Sequence, residues 1–226
     1  MTSTHHSAPA VRLTGLLLLT SLTTMVAAAV IVVPSGLTLN PADPAATLAA
    51  VNARPGLHLL ELGLDVIGWL ALTGAGLLMA ARARVTGPHL ALLPAGLLAA
   101  AGLAGLLHDA GNLALTQLAA DPADPAAITV TRAVMLVAKW MVNLAGLLWV
   151  AALASATFFT TLPAGLRRAG VVAALSGLAA VALPWTTGTA GPSPMLEQVG
   201  YVLHLPVMIW YGVLGWRELG GRTYVS

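Results

Sequence analysis

Residues 57–81 read LHLLELGLDVIGWLALTGAGLLMAA, an apolar stretch with only three ionisable side chains. A helix of about 20 such residues crosses the ~30 Å hydrocarbon core of a bilayer. Five more stretches have the same character. The predicted spans are residues 13–33, 57–81, 90–107, 134–156, 169–184 and 199–216. Because the strands of a membrane β-barrel would read as short alternating segments, the sequence predicts an all-α, polytopic membrane helix bundle with six transmembrane helices.

The composition agrees with a membrane protein. The 226 residues are 58% hydrophobic and 8% charged, whereas soluble domains carry about 25% charged residues. A water-soluble fold is therefore excluded. The chain has no cysteine, which excludes disulfides and thiolate metal sites. The net charge of +2 gives no reason to expect nucleic acid as a partner.

The arginines indicate how the bundle is oriented. Those predicted on one side are Arg12, Arg82, Arg84, Arg167, Arg168, Arg217 and Arg222. Only Arg54 and Arg132 fall on the other side, so the positive-inside rule places both termini in the cytoplasm. We expect one transmembrane domain over residues 1–226, with a cytoplasmic tail over 1–12 and outer loops over 34–56, 108–131 and 185–198. The alternative is that the first span is a cleaved signal peptide, which leaves five spans.

Two outer loops share a motif. PADPAAT at residues 41–47 and PADPAAI at residues 122–128 are identical at six of seven positions. The offset of 81 residues would relate spans one and two to spans three and four, with the last two spans as a third repeated hairpin. The alternative is that such loops recur through composition bias in an alanine-rich chain.

Ionisable side chains inside the spans form stripes. His58, Glu61 and Asp65 are three and four residues apart, which places them on one helix face. The other spans carry His108, Asp109 and Asn112; Arg132, Lys139 and Asn143; and Glu197, Tyr201 and His204. Nearly all of these lie in the predicted outer half of the bilayer. They predict a polar pocket in that half, lined by the even-numbered spans, that binds or transforms a lipophilic small molecule.

Acid and base chemistry is one use of such a pocket. Lys139, the only lysine, lies mid-span and should pair with a carboxylate, for which Asp65 and Glu61 are the candidates. Catalysis would use Glu61 or Asp65 as the acid and Lys139 or His204 as the base. The remaining candidate ligand-binding residues are Asn143, Tyr201, Arg132, Glu197 and Asn112.

Two other functions stay open. His58, His108 and His204 offer imidazole ligands for a divalent metal, with Glu61 as a carboxylate ligand, and two of these histidines could instead clamp a b-type haem. Either cofactor would indicate a membrane redox subunit. A proton-coupled carrier is the third alternative, although the predicted inner halves of the spans are almost purely apolar. These alternatives include enzymes as well as binding proteins.

Three parts of the chain carry a family resemblance. They are RLTG at residues 12–15 before a long apolar span, NPADPA at residues 40–45, and the stretch from residue 52 to residue 78. Here the chain resembles an uncharacterised bacterial family of six-span integral membrane proteins, a domain of unknown function. The resemblance would cover most of the chain. It implies a multi-pass protein of the bacterial inner (plasma) membrane, with membrane lipids as partners, and brings no catalytic residues to carry over.

Overall fold

The computed structural model describes residues 7–38, 40–86, 89–190 and 193–220. These residues form seven α-helices and no strand. The helices are α1 (Ser7–Ser35), α2 (Pro44–Ala53), α3 (Pro55–Thr86), α4 (Leu92–Leu118), α5 (Pro125–Phe159), α6 (Ala164–Ala182) and α7 (Pro194–Leu219). All but α2 are long and apolar enough to cross a membrane. The predicted all-helical, six-span architecture is therefore confirmed for the described residues.

The six long helices form a closed ring. Each packs against the next long helix along the chain, and α7 closes the ring by packing against α1. Glycines permit this closure, because a Cβ added at Gly15 would lie 2.5 Å from the carbonyl oxygen of Gly215. Backbones approach this closely in membrane bundles where small residues line the contact. Consecutive long helices run antiparallel, so the ring has two distinct ends.

The short helix α2 identifies one end, which we call the α2 end. The predicted loop over residues 34–56 contains this helix, and its Leu48 and Val51 pack into an apolar cluster with Leu115 of α4 and Met135 of α5. Arg54 and Arg132 also lie at the α2 end. The other described arginines lie at the opposite end, and Arg222 lies outside the described residues.

The repeated motif starts a helix in both places. Asp43 accepts a hydrogen bond from the backbone of Ala46 at the start of α2, and Asp124 does the same for Ala126 and Ala127 at the start of α5. Each aspartate is an N-cap that precedes a proline, a combination favoured at helix starts. The motif thus has a local physical reason at both sites, and the internal repeat stays a prediction.

The helices reach further than hydropathy indicated. Within the predicted outer loop over 108–131, α4 continues to residue 118 and α5 begins at residue 125. Within the predicted tail over 1–12, α1 begins at Ser7; residues 1–6 lie outside the described part, and where the membrane begins and ends along these helices stays a prediction. The loop over 185–198 ends earlier than predicted, since α7 begins at Pro194. Hydropathy does not detect these terminal helical turns because their side chains are polar.

Aromatic rings fill the middle of the bundle. The ring of Trp149 on α5 lies 5.8 Å from Trp69 on α3 and 6.1 Å from Tyr211 on α7, measured between centroids. All three side chains are buried. Gly105 on α4 makes room for Trp69, because an added Cβ would collide with the indole. This aromatic layer joins α3, α5 and α7 across the ring and underlies the polar groups at the α2 end.

Candidate functional site

Polar side chains converge inside the α2 half of the bundle, where α3 faces α4. We call the group formed by Glu61, Asp65, His108, Asp109 and Asn112 the polar centre. One oxygen of Asp65, one oxygen of Asp109 and one ring nitrogen of His108 all lie within 4.8 Å of one another. Within the described parts of the chain, no other group of three or more ligand-type side chains lies at metal-binding distance. His58 and His204 are not members of it.

Asp109 is the most deeply buried member of the polar centre. It is 1% exposed, and neither of its carboxylate oxygens has a backbone, amide, hydroxyl or cationic donor among the described groups. The carboxyl group of Asp65 lies close enough to hydrogen-bond with it when one of the two acids carries a proton. The charges of Asp65 and Glu61 both act on it. Burying a carboxylate without a donor is costly, so Asp109 requires either a proton or a cation.

His108 is held by two partners. Its Nδ1 lies 2.8 Å from the backbone oxygen of Ala138 on α5, and because a carbonyl only accepts, Nδ1 carries the proton. Its Nε2 is then the acceptor, 2.9 Å from the side-chain nitrogen of Asn112. The imidazole is therefore neutral and fixed in one tautomer, and its Nε2 lone pair points to the amide of Asn112.

His58 lies beside the polar centre, on the side nearer the α2 end, and is fully buried. Its Nε2 lies 3.3 Å from the backbone oxygen of Asn112 and donates to it. Its Nδ1 lies 3.2 Å from the Oε1 of Glu61. These contacts hold the ring of His58 between Glu61 on its own helix and the backbone of α4. Asn112 thus contacts both His58 and His108.

Lys139 forms the buried ion pair that the sequence predicts, but with a different partner. Its Nζ lies 2.5 Å from the Oε1 of Glu197, and both side chains are about nine-tenths buried. The expectation of Asp65 or Glu61 as the partner is wrong. The pair joins α5 to the start of α7. Because Glu197 takes up the lysine charge, the carboxylates of the polar centre are left without it.

The remaining predicted residues are placed apart from the polar centre. Asn143 donates to the backbone oxygen of Val181 at 2.9 Å and accepts from the indole of Trp185 at 2.8 Å, which ties α5 to the end of α6. His204 lies against Trp149, 5.3 Å between ring centroids, and its buried Nε2 has no hydrogen-bond partner among the described groups. Arg132 is exposed on the surface of α5.

The outer surface of α7 changes character along its length. Gly212 is buried against Leu22 of α1. Tyr201 lies 11 residues earlier, about three turns away on the same face, and is 47% exposed. Leu205, on the neighbouring turn, is 41% exposed. α1 therefore covers this face at Gly212 and at Gly215 but leaves it exposed at Leu205 and Tyr201, toward the α2 end.

The surface of α1 shows the same change. Val26 and Val33 lie one and three turns beyond Leu22 toward the α2 end. They are 37% and 48% exposed, so the side of α1 that packs on α7 at Leu22 is exposed nearer the α2 end. The charges of Asp65, Glu61 and Glu197 all act on the hydroxyl of Tyr201. We call the region bounded by the exposed side chains of Val26, Val33, Tyr201 and Leu205 the opening between α1 and α7.

Two surface cavities lie elsewhere. One of about 250 Å³ is lined by Phe158, Arg167 and Arg168 at the opposite end, among others. The second, of about 130 Å³, is lined by Asn40 and Thr47 and neighbouring loop residues. Neither contains a residue of the predicted site.

Sequence reasoning did not include Asp109 among the site residues. The predicted third span ends at residue 107, which leaves Asp109 just beyond the outer end of that span. The sequence does contain an indication that Asp109 lies inside a helix of the bundle. Asp109 follows His108 directly and stands four residues before Leu113, within an apolar pattern that continues without a break. That pattern would have extended α4 and placed Asp109 inside the bundle.

No family model matches the chain, and no curated protein or solved structure is significantly similar to it. The resemblance to an uncharacterised six-span family thus rests on the quoted residues alone. The polar centre and the opening between α1 and α7 are therefore the two features from which a function can be inferred.

Proposed function

We propose that the protein binds or transforms a lipophilic small molecule that carries a polar head group. The molecule would enter sideways from the lipid, between α1 and α7 at the α2 end. By the positive-inside rule this end faces outward, and the entrance would then lie in the outer leaflet of the bacterial plasma membrane, with the N and C termini in the cytoplasm.

The exposure of Tyr201 and Leu205 on a face that α1 covers at Gly212 carries the proposal. Sites for small molecules are largely apolar, with a few polar groups that orient the ligand. The apolar walls here are Val26, Val33 and Leu205, so an acyl or isoprenoid chain fits their chemistry. The hydroxyl of Tyr201 would bind the head group.

The acidic groups give the head group a chemical preference. Asp65 is partly exposed, unlike Asp109, and it accepts a hydrogen bond from the indole of Trp69 at 3.2 Å. A head group that donates hydrogen bonds, such as a hydroxyl, phenol or amine, suits a carboxylate acceptor. If the molecule is transformed as well as bound, Asp65 is the group placed to exchange a proton with it.

A substitution that fills the entrance tests the proposal. Leu205→Trp adds bulk in the opening between α1 and α7, whereas Val202→Trp introduces the same side chain about one turn away, where Val202 is 70% exposed. The protein is purified in mild detergent, and co-purified lipophilic molecules are extracted and quantified per chain by mass spectrometry. We expect one species near one equivalent in the unaltered protein and in Val202→Trp, and a severalfold loss in Leu205→Trp.

The result that would contradict the proposal is equally specific. If every variant releases the same mixture of bulk membrane lipids, with no species enriched over the membrane extract, the opening is only annular lipid contact. Retention of an enriched species by Leu205→Trp would place its site elsewhere.

A further inference from the structure

A second site lies deeper, at the three residues that converge between α3 and α4. We propose that Asp65, His108 and Asp109 bind a first-row divalent metal ion, with Zn²⁺ as the best-matched probe. This site shares Asp65 with the proposed head-group contact, but its ligands lie on α3 and α4 and do not include the walls between α1 and α7, so the two sites can be tested separately.

The distances suit a metal with a small adjustment. The three ligand atoms lie within 4.8 Å of one another, and tetrahedral zinc with bonds of about 2.0 Å separates its ligands by about 3.3 Å. Closing the difference takes a rotation of carboxylate side chains, which are short and have few other constraints here. Three protein ligands leave a fourth position for water or another ligand, as in catalytic zinc sites.

Asp109 supplies the independent reason to expect a ligand. Its side chain is buried, and neither carboxylate oxygen has a backbone, amide, hydroxyl or cationic donor among the described groups. Native proteins rarely leave buried polar atoms in this state without a purpose. A proton shared with Asp65 satisfies one oxygen of each carboxyl group, whereas a cation between Asp109 and Asp65 would replace that proton and satisfy both carboxylates at once.

The histidine is oriented as metal-binding histidines are. A ligating imidazole usually donates its other ring nitrogen to a carbonyl or carboxylate, which fixes the tautomer. His108 does this through Nδ1 to the backbone oxygen of Ala138 at 2.8 Å. Its Nε2 is left with a lone pair that the amide of Asn112 now approaches. Metal binding would displace that amide hydrogen bond.

The local charge favours a dication. Glu61, Asp65 and Asp109 act on one another electrostatically. Lys139 is the cation whose charge reaches His108, and it is paired with Glu197. Two carboxylates and one imidazole, without a thiolate, match zinc, iron or manganese better than they match copper(I).

Zinc binding by the full chain tests the site. The sequence also contains His5 and His6, which could bind zinc by themselves, so every variant carries His5→Ala and His6→Ala and uses an affinity tag without histidine. The protein is stripped with a chelator in detergent, and zinc affinity is measured by competition with a zinc-binding dye. Stoichiometry is measured by elemental analysis after equilibrium dialysis.

We expect one zinc per chain in this background. Asp109→Asn and His108→Gln should each weaken the affinity by about 100-fold or more, because even residues that only support metal ligands change affinity by 10–100-fold. Asp121→Asn removes an exposed carboxylate near the same end of the bundle and should change the affinity less than twofold. Zinc should also raise the thermal midpoint of the background protein and leave that of Asp109→Asn unchanged.

Three outcomes would overturn the proposal. They are no stoichiometric zinc in the unaltered chain, unchanged affinity in Asp109→Asn and His108→Gln, and loss of all zinc in the background that lacks His5 and His6. Asp65→Asn replaces Asp109→Asn in the comparison if the latter does not fold. Leu205→Trp is expected to bind zinc normally, so failure of either proposal leaves the other measurable.

Discussion

Breaking the Lys139–Glu197 pair should destabilise the bundle more than any other single charge removal. Two unit charges 2.5 Å apart attract by about 7 kcal/mol at an effective dielectric constant of about 20. Much of this attraction offsets the desolvation of two side chains that are about nine-tenths buried. Removing one partner, however, leaves the other charge buried and alone, which costs about 3–5 kcal/mol.

The double substitution separates these terms. Lys139→Met should lower the free energy of unfolding by about 3–5 kcal/mol, whereas Lys139→Met with Glu197→Gln should recover most of that loss, because a neutral pair needs no counter-charge. Arg132→Met, on the same helix but exposed, is the matched control and should stay within about 0.5 kcal/mol.

The assay is unfolding in mixed micelles, with increasing sodium dodecyl sulfate, followed by the fluorescence of the six tryptophans. The reasoning is refuted if Lys139→Met costs less than about 1 kcal/mol. It is also refuted if the double variant is as unstable as the single variant, since the unpaired glutamate would then not be the cause.

Two further predictions use the same unfolding assay. Gly105→Ala should lower the free energy of unfolding by about 1–3 kcal/mol, because the new methyl group collides with the indole of Trp69. Gly96→Ala on the same helix, where nothing lies within 4 Å, should be neutral or stabilising. Equal effects of the two substitutions would contradict the packing explanation. Asp124→Ala should lower the free energy of unfolding by about 1 kcal/mol, because α5 loses its N-cap. Asp121 caps no helix, so Asp121→Ala should lower it by less. The opposite order would show that the cap does not stabilise this helix start.

The sequence predicts the spans well because their signal is local. Each of the six long helices contains an apolar stretch of membrane-spanning length, and these stretches depend only on composition and order. The helix ends are predicted less well. Residues 108–118 remain helical because His108 and Asp109 point into the bundle, and hydropathy cannot distinguish a polar residue in a membrane interior from one in a loop.

The partners of the polar groups could not be read from the sequence. Helical spacing places His58, Glu61 and Asp65 on one face, and His58 and Glu61 do lie side by side. Which helix faces lie opposite each other depends on how the six long helices close into a ring. Lys139 meets Glu197 because the start of α7 lies next to α5, and no local pattern reports that neighbour. The same limit hid the convergence of Asp109 with Asp65, 44 positions apart.

The closure of the ring by α7 has a consequence for biosynthesis. A ribosome makes α1 to α6 first. The face of α1 around Gly15 therefore stays uncovered, as an open seam of the ring, until α7 is inserted against it. The acidic partner of Lys139 arrives on that same helix, so a half-made chain holds a buried cation without its permanent counter-ion. Insertion of α7 therefore completes the seam and brings the counter-ion of Lys139 in one event.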